Sequence, residues 1–366
     1  MNRHTACATF GAAMGAALAL ASTSAMAGKP APPSPPDQCI GANVRGFPSF
    51  VFTKQTGSGW GIFVADATAQ CQRQVGTYPS SRTVNLRYDP LTGTGLLVHN
   101  ADASKLVAAT MSVTFNADGS PVVQASTFQT LVSVGNLPDP QLVGWGPLKY
   151  IGSPVVSPDG MAILFVGNDV TTGDDNLFWT CALNSVTAAV DPTTCNVIHR
   201  APSTGMGATA TWGARAGTIY VTQTAVSGSG SALNRLTLAT STSSGSFQQV
   251  WSRGTAFTYA KATLASGVER VAVYEPDLTN LCSKAWVINA DSCSGNSCTI
   301  LNGQGDPARS VGWLPDGRVV AEGQTAPNRR GMCSAAGTVV TFDAKDLTST
   351  AKTLTTGAYP DGAGGG

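Results

Sequence analysis

The 366-residue chain holds three histidines, His4, His99 and His199. Histidine is the side chain most often set as a general base near neutral pH, so this sequence offers few constellations for acid–base chemistry. His99 closes the run VNLRYDPLTGTGLLVHN and His199 lies in CNVIHR; both read as exposed residues at strand ends. No G-x-S-x-G elbow, H-E-x-x-H pair, P-loop or G-x-G-x-x-G occurs, so the commonest hydrolase, zinc-protease and nucleotide signatures are missing. One stretch could hold a cation. GNDVTTGDDN (167–176) carries Asp169, Asp174 and Asp175, and calcium is bound by several oxygens, many from carboxylates. The spacing matches no EF-hand loop, so calcium is one reading and a polar surface turn the other.

Recognition needs aromatic and cationic side chains rather than acid–base pairs. NLPDPQLVGWGPLKY (136–150) offers Trp145, Lys149 and Tyr150, and QTAPNRRGMCSA (324–335) offers Arg329 and Arg330. Packing of the insert onto its scaffold would also account for Trp145 and Tyr150, and plain solvation for the arginine pair.

The elements that position these residues come from a repeat. SPVVSPDGMAILFVG (153–167) sets Pro158-Asp159-Gly160 between two strand-like runs, and SVGWLPDGRVVAEGQ (310–324) has the same build. TATWGARAGTIYVTQT and AKATLASGVERVAVYE follow with Ala216-Gly217 and Ser266-Gly267 at the turn, and VNLRYDPLTGTGLLVHN with a longer one. The glycines Gly160, Gly217, Gly267 and Gly317 recur at intervals of 50 to 57 residues. That period is too long for a heptad and suits a unit of four short strands. A third run rich in aromatic and β-branched residues follows each hairpin, as in NLFWTCAL and GTVVTFDA, and then a fourth, as in TCNVIHRA and FQQVWSRG. Aspartate bonds its own backbone two residues on and glycine takes positive φ, so Asp159 and Asp316 read as turn residues, not catalytic carboxylates.

Such repeats predict an all-β fold, a β-propeller of six four-stranded blades. The blades fall at 40–78, 82–134, 150–201, 207–254, 257–305 and 308–356. A β-sandwich or β-helix is the alternative. Blade one lacks its inner strand before SFVFTKQ; residues near Cys39–Val44 or the C-terminal segment could supply it and leave no open edge. With S-P-D-G between two strands and an aromatic third strand ending in Asp, the sequence resembles the TolB-type propeller repeat, most closely at FVFTKQTGSGWGIFVADATAQCQRQV, Ser157–Gly160 and Leu314–Gly317. The resemblance covers most of 46–356. It implies the propeller fold and, among its branches, periplasmic proteins of envelope complexes and propellers fused to peptidases; no appended catalytic domain is expected here. A repeat of this kind specifies fold strongly and function weakly.

The N-terminus, MNRHTACATFGAAMGAALALASTSAMA, has a basic start, an apolar stretch and Ala25-Met26-Ala27, the layout of a secretory signal cut after Ala27. The expected organisation is therefore a signal at 1–27, a Pro-rich leader at 28–38, one propeller at 39–356 and a flexible Gly-rich tail at 357–366. Taking Arg3 from the 22 Lys and Arg leaves as many bases as the 21 Asp and Glu. A neutral chain does not favour a nucleic-acid partner, and no membrane span is expected after signal cleavage. Cys39, Cys71, Cys181, Cys195, Cys282, Cys293, Cys298 and Cys333 then remain, an even set that suggests disulfides in a periplasmic or secreted protein. Sequence alone does not fix the pairing. The blade frame makes Cys181 and Cys195 a staple across one hairpin, sets Cys39 and Cys71 on either side of blade one, puts Cys293 and Cys298 around one tight loop, and favours a cross-blade bond between Cys282 and Cys333.

The expected function is a non-catalytic module binding a protein or peptide of the cell envelope. Its binding face would be the one where second-to-third-strand and inter-blade loops gather, opposite the S-P-D-G turns, and would carry Trp145, Lys149, Tyr150, Arg329 and Arg330. The alternative is a propeller enzyme, a lyase or hydrolase acting on a sugar or lactone with a divalent ion at the channel mouth. A third reading is an envelope scaffold with no small ligand.

Overall fold

The computed structural model describes residues 39–363 except 41–45, 58, 79–82, 139–147, 169–174, 203–207, 225–229, 241–244, 255–257, 277–281, 295–296, 306 and 345–350. The expected signal and leader (1–38) lie outside the described residues.

Six antiparallel sheets form a six-bladed β-propeller. In blade three the order from the axis outward is Tyr150–Val156, Ala162–Asn168, Asp175–Asn184 and Asn196–Pro202. The inner strands of the other blades are Val84–Asp89 in blade two, Thr209–Trp212 in four, Thr258–Ala265 in five and Pro307–Trp313 in six.

Blade one takes its inner strand from the other end of the chain: Ala358–Gly362 pairs antiparallel with Phe50–Thr56. The expectation of a loose tail at 357–366 is thus corrected over 358–362, and the C-terminal segment, one of two candidates, closes the ring. Here glycine is a steric requirement. A Cβ on Gly362 would run into the backbone of Trp313, and one on Gly312 would sit 2.5 Å from the Gly362 nitrogen. Two backbones can meet this closely only without side chains between them.

The strands are apolar throughout because both faces of every blade are covered. Successive side chains of a strand point to opposite faces. In Ala162–Asn168, Ala162, Leu164 and Val166 pack toward blade four, while Ile163 and Phe165 pack toward blade two. The same division puts Val271 and Val273 against blade four and Ala272 and Tyr274 against blade six. The result is one buried cluster at each of the six blade interfaces, the last joining Phe50 and Phe52 to Leu314 and Val320. Phe165 is wholly buried in this way, and truncating such a side chain to alanine costs about 3–5 kcal/mol.

The turn chemistry follows the sequence. Gly160, Gly217, Gly267 and Gly317 all have positive φ, 70° to 83°. Asp159 Oδ1 accepts from the Met161 amide at 2.9 Å and Asp316 Oδ1 from the Arg318 amide at 3.1 Å. The disulfides join Cys39 to Cys71, Cys181 to Cys195, Cys282 to Cys333 and Cys293 to Cys298. The third of these ties blade five to blade six.

Candidate functional site

The turns between inner and second strands all reach one end of the ring, here called the turn face. Longer loops between second and third strands, and between blades, reach the other end, the loop face. Because inner strands converge on the axis, their turn-face ends enclose a cavity of about 560 Å³. All six blades line it.

Polar residues interrupt the apolar inner strands at this point. Asp361 of the closing strand is 2% exposed and central. Its Oδ2 accepts from Asn85 Nδ2 at 2.6 Å and from the Leu86 amide at 3.3 Å, and its Oδ1 lies 3.1 Å from Lys261 Nζ. Asn85 Oδ1 in turn accepts from the Val156 amide at 3.0 Å. One carboxylate thus connects blades one, two and five, and Asn85 carries the link on to blade three. Indole donors tie further neighbours: Trp212 Nε1 bonds the Val155 carbonyl at 3.0 Å and Trp313 Nε1 the Lys261 carbonyl at 2.9 Å. Between blades four and five, buried Glu269 accepts from the Ala214 amide at 2.8 Å and from the Tyr220 hydroxyl at 2.7 Å. Burial, and then the neighbouring Glu269 carboxylate, push the Tyr220 phenol far above its ordinary range.

At the rim, Asp89 is held below the usual carboxylate range by the Leu91 amide and the Thr92 hydroxyl. Around it the turn face exposes apolar side chains. Leu91 is 95% exposed, Val186 84% and Met161 66%, and Phe115 and Leu264 are also open. Two smaller hollows adjoin the axial one, between blades two and three beside Val186 and beside Phe47, Leu91 and Phe115. Large exposed side chains gathered on one face mark an interaction surface more often than scattered single ones do.

The residues singled out in the sequence lie elsewhere. Tyr150 begins the inner strand of blade three at its loop-face end with Lys149 just before it, and Arg329 and Arg330 sit exposed in the loop between Gln324 and Ala335 of blade six, on the same face. None of the three hollows is lined by them. Trp145, Asp169 and Asp174 lie outside the described residues, as does the side chain of Asp175. Among the described residues no group of three or more His, Cys, Asp or Glu could hold a metal ion.

Neither histidine is the exposed strand-end residue expected. His99 is 1% exposed, edge-on to the rings of Tyr78 and Phe128 at 4.7 and 4.6 Å. His199 stacks on Phe247 at 4.3 Å and meets Gln223 Oε1 at 3.2 Å, and burial lowers its pKa. Both sit where an outward-pointing side chain meets an aromatic of the adjoining strand or blade, a contact that one strand's sequence does not show. The cavity did have a sequence signal: Asn85, Lys261 and Asp361 are polar residues inside apolar inner strands.

No protein-family model matches the chain, and no curated protein matches it in sequence. Among solved structures it is similar to TolB from Acinetobacter baumannii, with TM-score 0.55 and 13% identity over 86% of this chain and 66% of that one. It thus spans just under two thirds of that chain's length. Weaker matches are the Trypanosoma rangeli sialidase in complex with the inhibitor DANA (TM-score 0.47, 12% identity, 78% of this chain and 54% of that one) and a chain of a nidogen/laminin complex (0.46, 11%, 86% and 98%). At these identities the likeness is one of fold, the TolB-like six-bladed propeller.

Proposed function

We propose that this propeller is a non-catalytic binding module of the cell envelope, periplasmic or secreted, that takes a protein or peptide on its turn face. The observation that carries this reading is the axial cavity, with exposed Leu264 in its lining and exposed Leu91, Met161 and Val186 elsewhere on the same face. A polar, pre-formed hollow on a face with exposed apolar side chains gives a chain segment both an anchor point and area to bury. The carboxylates that line the hollow are already engaged by protein donors, Asp361 by Lys261 and Asn85, Asp316 by Arg318 and Asp89 by Leu91 and Thr92. This suits recognition better than proton transfer. The four disulfides fit an extracytoplasmic compartment, and no helix among the described residues is long and apolar enough to cross a membrane.

The test is a photo-crosslinking residue placed singly at Leu91, Met161, Tyr150 and Arg329 in the full chain in its own cell. Specific adducts at Leu91 and Met161, absent at Tyr150 and Arg329, are expected. Adducts confined to Tyr150 and Arg329 would return the binding face to the loop side.

A further inference from the structure

Arg270 lies in the second strand of blade five, VERVAVYE. It has the parity of Ala272 and Tyr274, which pack toward blade six, and it lines the axial cavity. Its Nε and Nη1 are buried and have no hydrogen-bond partner among the described residues. A guanidinium carries five N–H donors and keeps its charge at any ordinary pH. Leaving such donors buried and unpaired is unfavourable, because they have lost water and gained nothing.

The other charged side chains around the hollow have partners of their own, an ion pair or a hydrogen bond. Lys261 meets Asp361 at 3.1 Å and Asp316 meets Arg318 at 2.7 Å. Arg87, two residues from Asp89, bonds the Pro158 carbonyl through its Nε at 3.2 Å. Among the described residues no carboxylate forms an ion pair with Arg270, so its positive charge is unmatched at close range.

We propose that Arg270 is the anchor of a carboxylate subsite in the axial cavity. A carboxylate brings one negative charge and two coplanar acceptors, which suit the planar fork of a guanidinium. A phosphate dianion would add a second charge in a hollow already lined by Asp89, Asp316 and Asp361. The proposal rests on the turn-face reading for the source of the group, an acidic side chain or free C-terminus of the docked peptide; a free small carboxylate is the other source.

The test titrates the mature protein with sodium acetate against sodium chloride at equal ionic strength, following the arginine Nε–Hε resonances. One resonance, assigned by its loss in Arg270→Met, should move and saturate with acetate and not with chloride. Arg270→Lys, which keeps the charge and loses the fork, should weaken the response about tenfold. In plain buffer Arg270→Met should melt above the parent, since its unpaired donors are gone. No saturable acetate shift at Arg270, or an Arg270→Met variant that melts below the parent, overturns the subsite. Acetyl-trialanine binding more tightly than its C-terminal amide supports a peptide carboxylate as the source. An acetate response with no such preference keeps the subsite and overturns the peptide source. Turn-face crosslinks without an acetate response would remove the subsite alone and leave the turn-face reading intact.

Discussion

The two ends of this propeller are built from the same strands, yet they treat their polar groups differently. On the loop face one cation, one aromatic and one carboxylate satisfy one another. Arg253 lies over the Trp286 ring at 3.9 Å and 3.8 Å from the Glu275 carboxylate, which also accepts from the Trp286 indole. The Cys282–Cys333 bond stitches two of its loops. On the turn face the connections are tight and their own backbones are closed by Asp159 and Asp316, but behind them, among the described residues, Arg270 Nε and Nη1 stay unpaired and Leu91, Met161 and Val186 stay uncovered. Under the proposed turn-face reading, long loops rich in aromatic and basic residues would be a poor guide to where this propeller binds. Under the same reading convergence on the axis would be a better one, because it brings segments of all six blades together around one cavity.

The comparison breaks most completely if the ring is opened. Ending the chain at Gly357 removes the inner strand of blade one together with Asp361. The expected loss exceeds the ~4–5 kcal/mol that only exceptional single changes reach, seen as loss of a cooperative melt by circular dichroism. A truncated chain that melts like the parent would show that the closing strand contributes little.

Next in size is the loop-face disulfide. The chain-entropy estimate for its 51-residue separation is ~4 kcal/mol. Replacing Cys282 and Cys333 by serine should lower the melting temperature while the acetate response of Arg270 stays unchanged. A lost response would mean that the two faces are not independent.

A turn-face change should follow. Asp361→Ala strands Lys261 and removes the acceptor for Asn85. Breaking a buried pair by deleting one partner costs ~3–5 kcal/mol, and the partial exposure of Lys261 sets the expectation at the lower end. Urea unfolding measures it. With a second unmatched cation in the cavity, acetate should also bind more tightly. Unchanged stability would remove Asp361 as the axial tie.

The smallest effect concerns His199, which belongs to neither face. Burial lowers its pKa from the ordinary 6.5, so the unfolded chain takes up the proton first as pH falls. Its contribution is fully present above pH 6.5 and is lost as pH drops through the lower folded value. The melting temperature of the parent should thus fall more than that of His199→Gln between pH 7 and pH 5. Parallel curves for the two proteins would show that the imidazole titrates normally.

Much of the architecture was legible in the residues. The spaced turn glycines, the Pro-Asp-Gly turns and the apolar third strands located six blades, and blade geometry then favoured the disulfides found. The axial cavity on which the proposal rests was not legible in the same way. Lys149, Tyr150, Arg329 and Arg330 drew attention because they stand in long loops, whereas Asn85, Lys261, Arg270 and Asp361 are single polar residues inside strands. Each looks like an ordinary interruption until the ring brings it beside the others, across separations of up to 276 residues.

The sequence by itself determined the strands, their turns and the repeat, because φ restriction at glycine, aspartate capping and period-two burial act within a few residues. Only the tertiary structure decided that Ala358–Gly362 belongs to the first blade, that His99 and His199 are packed between rings, and that Asp361 has partners while, among the described residues, Arg270 Nε and Nη1 have none. These are matters of charge and contact between segments distant in the chain, and they take a definite value only once the ring has closed.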